Sequence, residues 1–571
     1  MTKLARNASR ERVPVLVIGG GPVGTAFAVD LAHRGHPPLV VEPQHEIPTS
    51  HPRGSNVSMR TVEHFRRWGI AEKLKAQATS VTTVDGKPYV HSRGERTIFA
   101  DSIFGDVLGV FPFNYGRTEE QYRDIAAEPS VSVVQPRGHA VLRERALELG
   151  ARFLNGFELV ELHELADRVE ARVRDVATGE ERIIEADYVV GCDGAGSPTR
   201  KIVGIDRDGE GDTFIASCIV RLKEHTNTEI LARMRYDLGG FLLIANDDIL
   251  SNAAPFDETG WRFSVKPGHD GIVPPDEEII EKAYAIFGER LPLELEPVNR
   301  YRRQIRIAQR YGTSRVFLAG DAAHLFPPVG GQNQNLGIGD AVNLAWKLAG
   351  VLEGWASTDI LETYDAERRP IAWRVGRVAY GISDVWPDMI DAIRAAKVPG
   401  PVDDDAVRKR YALGEVLYKG TYAEWNTHGL VLDIRYEDTP IVVQDGTSVP
   451  EWSGSQFQPL ARPGHRAPHF LLQDGTPVYD HFGPAFTLLV FGEEDALAAS
   501  FVREAAAAGI PLTLLVLDSE QGKALYDASH ILVRPDQQVV WRKGPKAADA
   551  RDILAIATGR RIATSALRAS A

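Results

Sequence analysis

Short apolar runs that end on glycine open the chain and recur along it. Pro14 to Ile18 is rich in branched residues and stops at Gly19, the pattern of a buried strand. A helical pattern follows from Pro22 to about Arg34 and stops at Gly35, and Leu39 to Glu42 reads as a second strand. The chain therefore begins with one strand–helix–strand unit. His51 to Ile70 reads as a loop and then a helix, Arg60 to Trp68. Short strands alternate from about Ala151 to Val190, closing on the run Asp187 to Gly191, and Asp206 to Asn299 is β-rich with Gly/Asp turns, which predicts a separate sheet. Arg315 to Ala319 returns to a buried strand and Ile338 to Leu352 to a helix. Asp384 to Asp404, rich in Pro and Asp, reads as irregular, and a turn-rich bridge runs on to about Pro459. The remainder predicts its own α/β unit, with strands Thr487–Phe491, Leu512–Leu517 and His530–Arg534 and a helix over Asp495–Gly509.

Composition narrows what such a chain does. Its 571 residues amount to roughly three to four domains. A hydrophobic share of 43% with 25% charge suffices for a large core. The formal net charge of −13 opposes a phosphate backbone, so no nucleic-acid partner is expected. Two cysteines, Cys192 and Cys218, form no CxxC and build neither a disulfide framework nor a zinc site; Cys192, in an apolar run, reads as inert core. No metal is expected. Met1 to Arg12 is polar and no apolar stretch nears the ~20 residues that span a bilayer, so no membrane partner and a cytoplasmic location are expected.

Two glycine-rich segments carry the chemistry. Gly19-Gly20-Gly21-Pro22-Val23-Gly24 contains G-x-G-x-x-G after a strand and opening a helix. Gly19 permits the tight turn, Gly21 lets backbone approach a pyrophosphate, and Gly24 lets the helix pack on the strand. The uncapped helix end offers N–H groups and a positive dipole. Glu42, eighteen residues past Gly24, is placed to accept both ribose hydroxyls. This motif does not separate FAD from NAD. Some 300 residues on, a buried strand delivers Asp321, suited to a polyol such as ribityl, to a loop; Gly330-Gly331 then opens a helix whose N–H groups face an anion such as a reduced flavin. NAD needs no such second site.

Here the sequence resembles the FAD-dependent aromatic hydroxylases, the family of para-hydroxybenzoate, phenol and polyketide hydroxylases. The likeness rests on Gly320-Asp321-Ala-Ala-His324 through Pro327-Pro328, on Gly330-Gly331 through Asn335, on Asp340 through Asn343 and Trp346-Lys347, on Asp193-Gly194, and on Glu362 through Pro370. The chain departs from the pattern at Asn333-Gln334, where the family usually has Gly and then Met or a similar residue. The resemblance implies that Asp321 binds the ribityl and pyrophosphate end, that Gly331, Asn335 and Leu336 line the isoalloxazine, and that Pro328 sits near its reactive face. It further implies that Asp193 serves the pyrophosphate and NAD(P)H side, and that Arg53 and Gln135 contact FAD. His324 is expected to be structural.

Fold and function follow as expectations. The fold class is α/β: a Rossmann-like FAD-binding domain, a β-sheet substrate domain and a thioredoxin-like C-terminal domain. The expected divisions are 1–205, the first part of the FAD domain with interleaved substrate-domain strands; 206–300, the substrate sheet; 301–400, the second FAD part with connecting helices; 401–459, a linker; and 460–571, the tail. Without CxxC the tail's role is packing or dimer contact, and a homodimer is left open. The expected activity is monooxygenation of a small aromatic, phenolic substrate by FAD, NAD(P)H and O2 through a flavin C4a-hydroperoxide. Pocket candidates are Arg233, Arg235, Tyr236, Phe241 and Trp261, with Pro328, Arg53 and Tyr236 nearest the chemistry. A flavin dehydrogenase or reductase of the same fold, and a flavoprotein that only sequesters an aromatic intermediate, are the competing readings.

Overall fold

Strand Arg10–Ile18 is apolar on both sides from Val15 onward because its sheet is covered on both faces. Helix Pro22–His33 crosses from it to strand Leu39–Glu42, which lies parallel beside it with Ile18 opposite Val41. The structure, a computed structural model, describes residues 10–48, 56–78, 80–84, 87–90, 96–114, 116, 118–236, 238, 241–255, 258–267, 271–396, 404–545 and 549–562. Among the described residues the first sheet has seven strands. Phe157–Glu164, Val169–Asp175, Glu181–Gly191, Arg10–Ile18, Leu39–Glu42 and Arg152–Asn155 follow in spatial order, and Val316–Leu318 pairs with the end of Glu181–Gly191. Ile18 pairs with Gly191 and Gly191 with Leu318, all in parallel, so the loops beginning at Gly19, Cys192 and Ala319 leave one edge of the sheet together. That edge, at the carboxyl ends of parallel strands, is where open α/β sheets bind ligands.

The second sheet has nine strands among the described residues. It runs from His324–Leu325 through Asn299–Ala308, Arg207–Leu222, Gly260–Val265, Leu250–Pro255 and Phe241–Ala245 to Arg96–Ala100 and Val107–Pro112, with Leu293–Leu295 off this path. One face packs Cys218, Trp261, Phe263 and Ile244 on helix Asp276–Phe287. Part of the other face packs Phe99, Leu243 and Leu250 against Trp386, Leu417 and Trp425. Those last residues lie in helices Trp386–Ala396, Asp404–Gly420 and Tyr422–Trp425, where the sequence reads as irregular and bridging. Asp-rich flanks and Pro387 obscure the helical period there. Yet Ala406, Arg410, Leu413 and Leu417 fall on one buried stripe, and a Cβ on Gly414 would stand 2.4 Å from the Leu108 carbonyl oxygen.

The tail forms a four-stranded mixed sheet in the order Leu512–Leu517, Phe486–Phe491, His530–Val533, Val539–Arg542, with helices Ala496–Ala508, Glu520–Tyr526 and Ala550–Ala557. Its Phe486, Leu488, Phe501, Leu532 and Trp541 belong to the same core as helices Pro22–His33 and Gln332–Leu352, and Phe486 meets Trp346 edge-on at 6.2 Å. Among the described residues no helix is long and apolar enough to cross a membrane.

A buried ion network joins tail to body. Glu367, on helix Thr363–Asp384, accepts from Lys347 Nζ at 2.8 Å and from both terminal nitrogens of Arg534 at 2.6 and 2.9 Å. Asn343 and Thr439 supply two more donors at 2.7 and 2.8 Å. Burial opposes ionisation, but Arg534 and Lys347 outweigh it and hold the Glu367 carboxyl far below the usual range. Glu367→Gln keeps the shape and leaves two buried cations short of their counter-charge, a loss of about 3–5 kcal/mol. Urea unfolding followed by circular dichroism should show a clearly lowered midpoint; an unchanged one would dismiss this network as a mainstay of the fold.

Candidate functional site

At the shared sheet edge the first glycine turn is shaped by contact. Gly19 has φ +99°, its N–H donates to the Val41 carbonyl at 2.8 Å, and a Cβ there would stand 2.5 Å from the Cys192 carbonyl oxygen. A Cβ on Gly24 would meet the Gly19 carbonyl oxygen at 2.0 Å, so helix and turn touch through backbone. Gly21 differs: nothing lies within 4 Å of where its Cβ would be. Helix Pro22–His33 starts there with no side-chain cap, leaving its first N–H groups open toward that space. Glu42 closes the next strand, its carboxylate accepting from the N–H groups of Gly20 at 2.7 Å and Gln44 at 3.0 Å.

The second glycine segment is built against the first. A Cβ on Gly320 would stand 3.0 Å from Val23, and one on Gly337 would stand 2.6 Å from the same side chain, so Asp321 and helix Gln332–Leu352 are set beside the start of helix Pro22–His33. Gly330 and Gly331 turn in the left-handed region at φ +71° and +66°, and the second helix also starts without a side-chain cap. The helix pattern begins six residues before the sequence expectation because the Gly-Gly turn, not an apolar residue, sets its start. Open backbone at Gly21, two uncapped helix N-termini and Asp321 in the adjoining Gly320–Ala322 turn fit a dinucleotide with an anionic ring system.

The other expected site residues fall into place unevenly. Asn335 makes four hydrogen bonds: its Oδ1 accepts from Ser58 N at 3.0 Å and Thr61 Oγ1 at 2.7 Å, and its Nδ2 donates to the Asn56 and Gly331 carbonyls at 2.9 and 2.7 Å. Its amide is fully used in holding the glycine turn to the Asn56–Thr61 segment. Gln135 donates to the Gln334 side chain at 3.2 Å and Asn333 donates to the Phe326 carbonyl at 3.0 Å, so the residues that depart from the family pattern brace the loop. Asp193 accepts from Ser197 Oγ at 2.5 Å and Thr199 N at 2.7 Å, capping the turn after its strand, while its backbone abuts Gly19. Leu336 is core, its carbonyl accepting from Arg368 at 3.0 Å, and Pro328 is exposed at the head of the glycine turn. His324 is buried against Asp340 at 2.7 Å, and Asp340 also accepts from Arg368 at 2.8 Å and Gly320 N at 3.1 Å. Arg53 lies outside the described residues.

Tyr236 does not reach this region: it packs on the helix-covered back of the second sheet and donates to the Ser102 carbonyl at 3.0 Å. Trp261 is core on that same face, and Arg233 and Arg235 are exposed, Arg233 paired with Glu289 at 2.6 Å. Of the pocket candidates only Phe241 faces the other way, against Trp425 and Phe113. Strand alternation explains the difference, since Trp261, Phe263 and Val265 turn backward and Arg262, Ser264 and Lys266 forward.

Four side chains on that forward side escape sequence reasoning. Lys266 lies 3.6 Å over the Trp386 ring, and burial, opposed by Glu424, pushes its ammonium down to about 8. Burial pushes the Glu424 carboxyl up against the pull of Lys266, pushes the Tyr301 hydroxyl up, and pushes Arg262 down. Turn Tyr422–Trp425, which carries Glu424, touches the Val329–Gly331 turn, so this polar face adjoins the second glycine loop. Three further residues brace the dinucleotide side. His139, pushed down to about 4 by burial, stands 3.0 Å from Thr25 Oγ1, which donates to the Gly20 carbonyl at 2.9 Å. Arg143 donates to Asn155 at 2.8 Å near Glu42. Arg207 donates to the Ala195, Asp321 and Ala322 carbonyls at 3.0, 2.5 and 2.9 Å, tying the two loops together.

Comparison with known proteins agrees with this geometry. The FAD binding domain family matches residues 12–379 and the aromatic-ring hydroxylase C-terminal family matches residues 460–561. The FAD-dependent monooxygenase apdD of Emericella nidulans is 30% identical over 561 residues, covering 92% of this chain and 87% of that protein. The 4-methyl-5-nitrocatechol 5-monooxygenase of a Burkholderia species is 29% identical over 580 residues, covering 96% and 97%. Among solved structures, the rebeccamycin biosynthetic enzyme RebC with reduced flavin superposes with a TM-score of 0.81 at 29% identity, covering 97% of this chain and all of that one. The fold and the double glycine cradle thus define a flavoprotein monooxygenase, and the chain belongs to the FAD-binding aromatic-ring hydroxylases.

Two glycine substitutions should separate binding from folding. Gly21→Ala enters open space in extended backbone, so stability should hold while FAD affinity falls at least about tenfold, or ~1.4 kcal/mol. Gly24→Ala forces the helix off the turn and should cost about 1–3 kcal/mol of stability. Thermal melts beside FAD titration by fluorescence quenching check both; equal FAD affinity in Gly21→Ala and the parent protein would contradict the cradle.

Proposed function

We propose that the chain hydroxylates an aromatic, phenolic substrate, using NAD(P)H as reductant and inserting one atom of O2. One observation carries the reading: two uncapped helix N-termini and the turn that carries Asp321 lie side by side at Val23, next to open backbone at Gly21, and the second glycine turn adjoins a polar, aromatic-lined face of the second sheet. The Burkholderia relative, a monooxygenase that acts on a catechol, supports a phenolic ring as acceptor. FAD, when bound, supplies hydride acceptance and activation of O2.

The chain's own groups then have distinct tasks. The backbone at Gly21 and the start of helix Pro22–His33 hold the pyrophosphate, Glu42 the ribose, and Asp321 the ribityl chain. The N–H groups after Gly331 would face the pyrimidine edge of a bound flavin, and Asn335 fixes the turn that presents them. Pro328 stands at the head of that turn, next to the substrate face. Helices Trp386–Ala396, Asp404–Gly420 and Tyr422–Trp425 cover the sheet and keep water from the reacting ring.

Oxygen dependence decides between this reading and a dehydrogenase. With labelled O2 and a panel of phenols and polycyclic aromatics, substrate-stimulated NAD(P)H oxidation should accompany a product one labelled oxygen heavier. NAD(P)H oxidation that proceeds equally without O2, its hydride ending in a product two electrons more reduced than the substrate and free of label, would assign the chain to the flavin dehydrogenases and reductases instead.

A further inference from the structure

The forward face of the second sheet holds two cations, Arg262 and Lys266, where an ordinary hydrophobic pocket would place apolar side chains. Both are surrounded by protein, yet each keeps accessible surface, as side chains lining an internal cleft do. The side chains of Arg262, Lys266 and Tyr301 make no hydrogen bond among the described residues. Lys266 has the Trp386 ring beneath it and Glu424 within electrostatic reach, but no ion pair among the described residues. Sheltered cations without a direct partner are costly unless an anion visits them. Close by, Ser264 donates to Asn252 at 2.6 Å, and Phe241, Phe113 and Trp425 form an aromatic wall with ring centroids 5.2–6.1 Å apart. Turn Tyr422–Trp425 brings this face against the Val329–Gly331 turn.

We propose that Lys266, flanked by Arg262 and Tyr301, anchors an anionic oxygen on the aromatic substrate, and that Glu424 is the opposing charge that sets how tightly that anion is held. The inference rests on the monooxygenase reading and adds the substrate class: a ring carrying a carboxylate or an ionised phenol, bound flat against the aromatic wall with its charge turned to Lys266. The anion supplies counter-charge where, among the described residues, the Glu424 carboxylate acts on Lys266 and the Tyr301 hydroxyl on Arg262. Glu424 weakens the anchor by sharing Lys266. Removing the lysine and removing the glutamate should therefore act in opposite directions, which simple loss of packing does not do.

The test uses FAD-loaded enzyme and matched probes: salicylate with salicylamide and hydroxynaphthoate with hydroxynaphthamide for the carboxylate arm, nitrophenol with methylphenol for the phenolate arm. Binding is read from perturbation of the flavin spectrum and function from stimulated NAD(P)H oxidation. Parent enzyme should prefer at least one anionic member over its neutral partner by about tenfold or more. Lys266→Gln should abolish that preference while leaving the neutral partner's affinity within about twofold, Lys266→Arg should retain it, and Glu424→Gln should enlarge it. If Lys266→Gln fails to retain FAD, the Lys266→Arg and Glu424→Gln pair still decides by the sign of the change. The same anion-to-neutral ratio in parent and variants overturns the anchor and leaves the monooxygenase reading standing. Absence of stimulation by every ring, charged or neutral, removes that reading and the anchor with it.

Discussion

The helix that follows the second glycine turn and the C-terminal sheet meet at the carboxylate of Glu367. It holds Lys347 of the helix that begins at the second glycine turn, and it holds Arg534 of the tail, both without access to water. One helical residue on, Arg368 reaches Asp340, the Leu336 carbonyl and the Tyr436 hydroxyl. Neighbouring residues of one helix thus fix the glycine-loop helix from below and lock the C-terminal sheet against it. A buried pair of this kind contributes little over a well-packed apolar replacement, but losing one member is severe. Its use here is to define a single docking geometry for three separate segments of chain.

That arrangement gives the tail a structural role that needs no thiol. Arg466 pairs with Glu63 at 2.5 Å, so the helix Met59–Arg67, whose start carries the Asn335 contacts, is also tied to the C-terminal part of the chain. The flavin loops therefore sit between two sets of buried charges, each with one member downstream of residue 460.

Much of this was legible in the sequence because the signals are local. Gly19 through Gly24 and Glu42 declare a strand–turn–helix by spacing alone, and the strand leading to Asp321 is plainly apolar. Helices Trp386–Ala396 and Asp404–Gly420 escaped because their apolar stripes are narrow and acquire meaning only against the sheet they cover. The forward face of the second sheet was not legible for a different reason. Along Trp261-Arg262-Phe263-Ser264-Val265-Lys266 the alternation is clear, but a strand pattern does not say which face meets a helix and which meets a cleft. The aromatic candidates Tyr236 and Trp261 lie on the packed side, and Arg262 and Lys266 on the other side belong to no motif that marks them in the sequence. Asn335 shows the reverse limit: its place in a motif was evident, but that its amide is spent on backbone and side chains of a segment nearly 280 residues earlier was not.

The separation of the cofactor cradle along the chain carries a consequence for biosynthesis. Gly21, Asp193 and Asp321 come together only when Val316–Leu318 has paired with Val189–Gly191, across more than a hundred residues that form a sheet of their own. Such non-local pairing is slow, because loop-closure entropy precedes the contacts that offset it. Until Arg534 emerges, Lys347 and Glu367 must also be sheltered with their set of charges incomplete. A nascent chain therefore lacks the assembled cradle until Val316–Leu318 has emerged and paired. By mass action FAD at a hundred times its dissociation constant stabilises the finished fold by about 2.7 kcal/mol. Cellular riboflavin status should then govern how much of this protein accumulates, quite apart from how fast each molecule turns over.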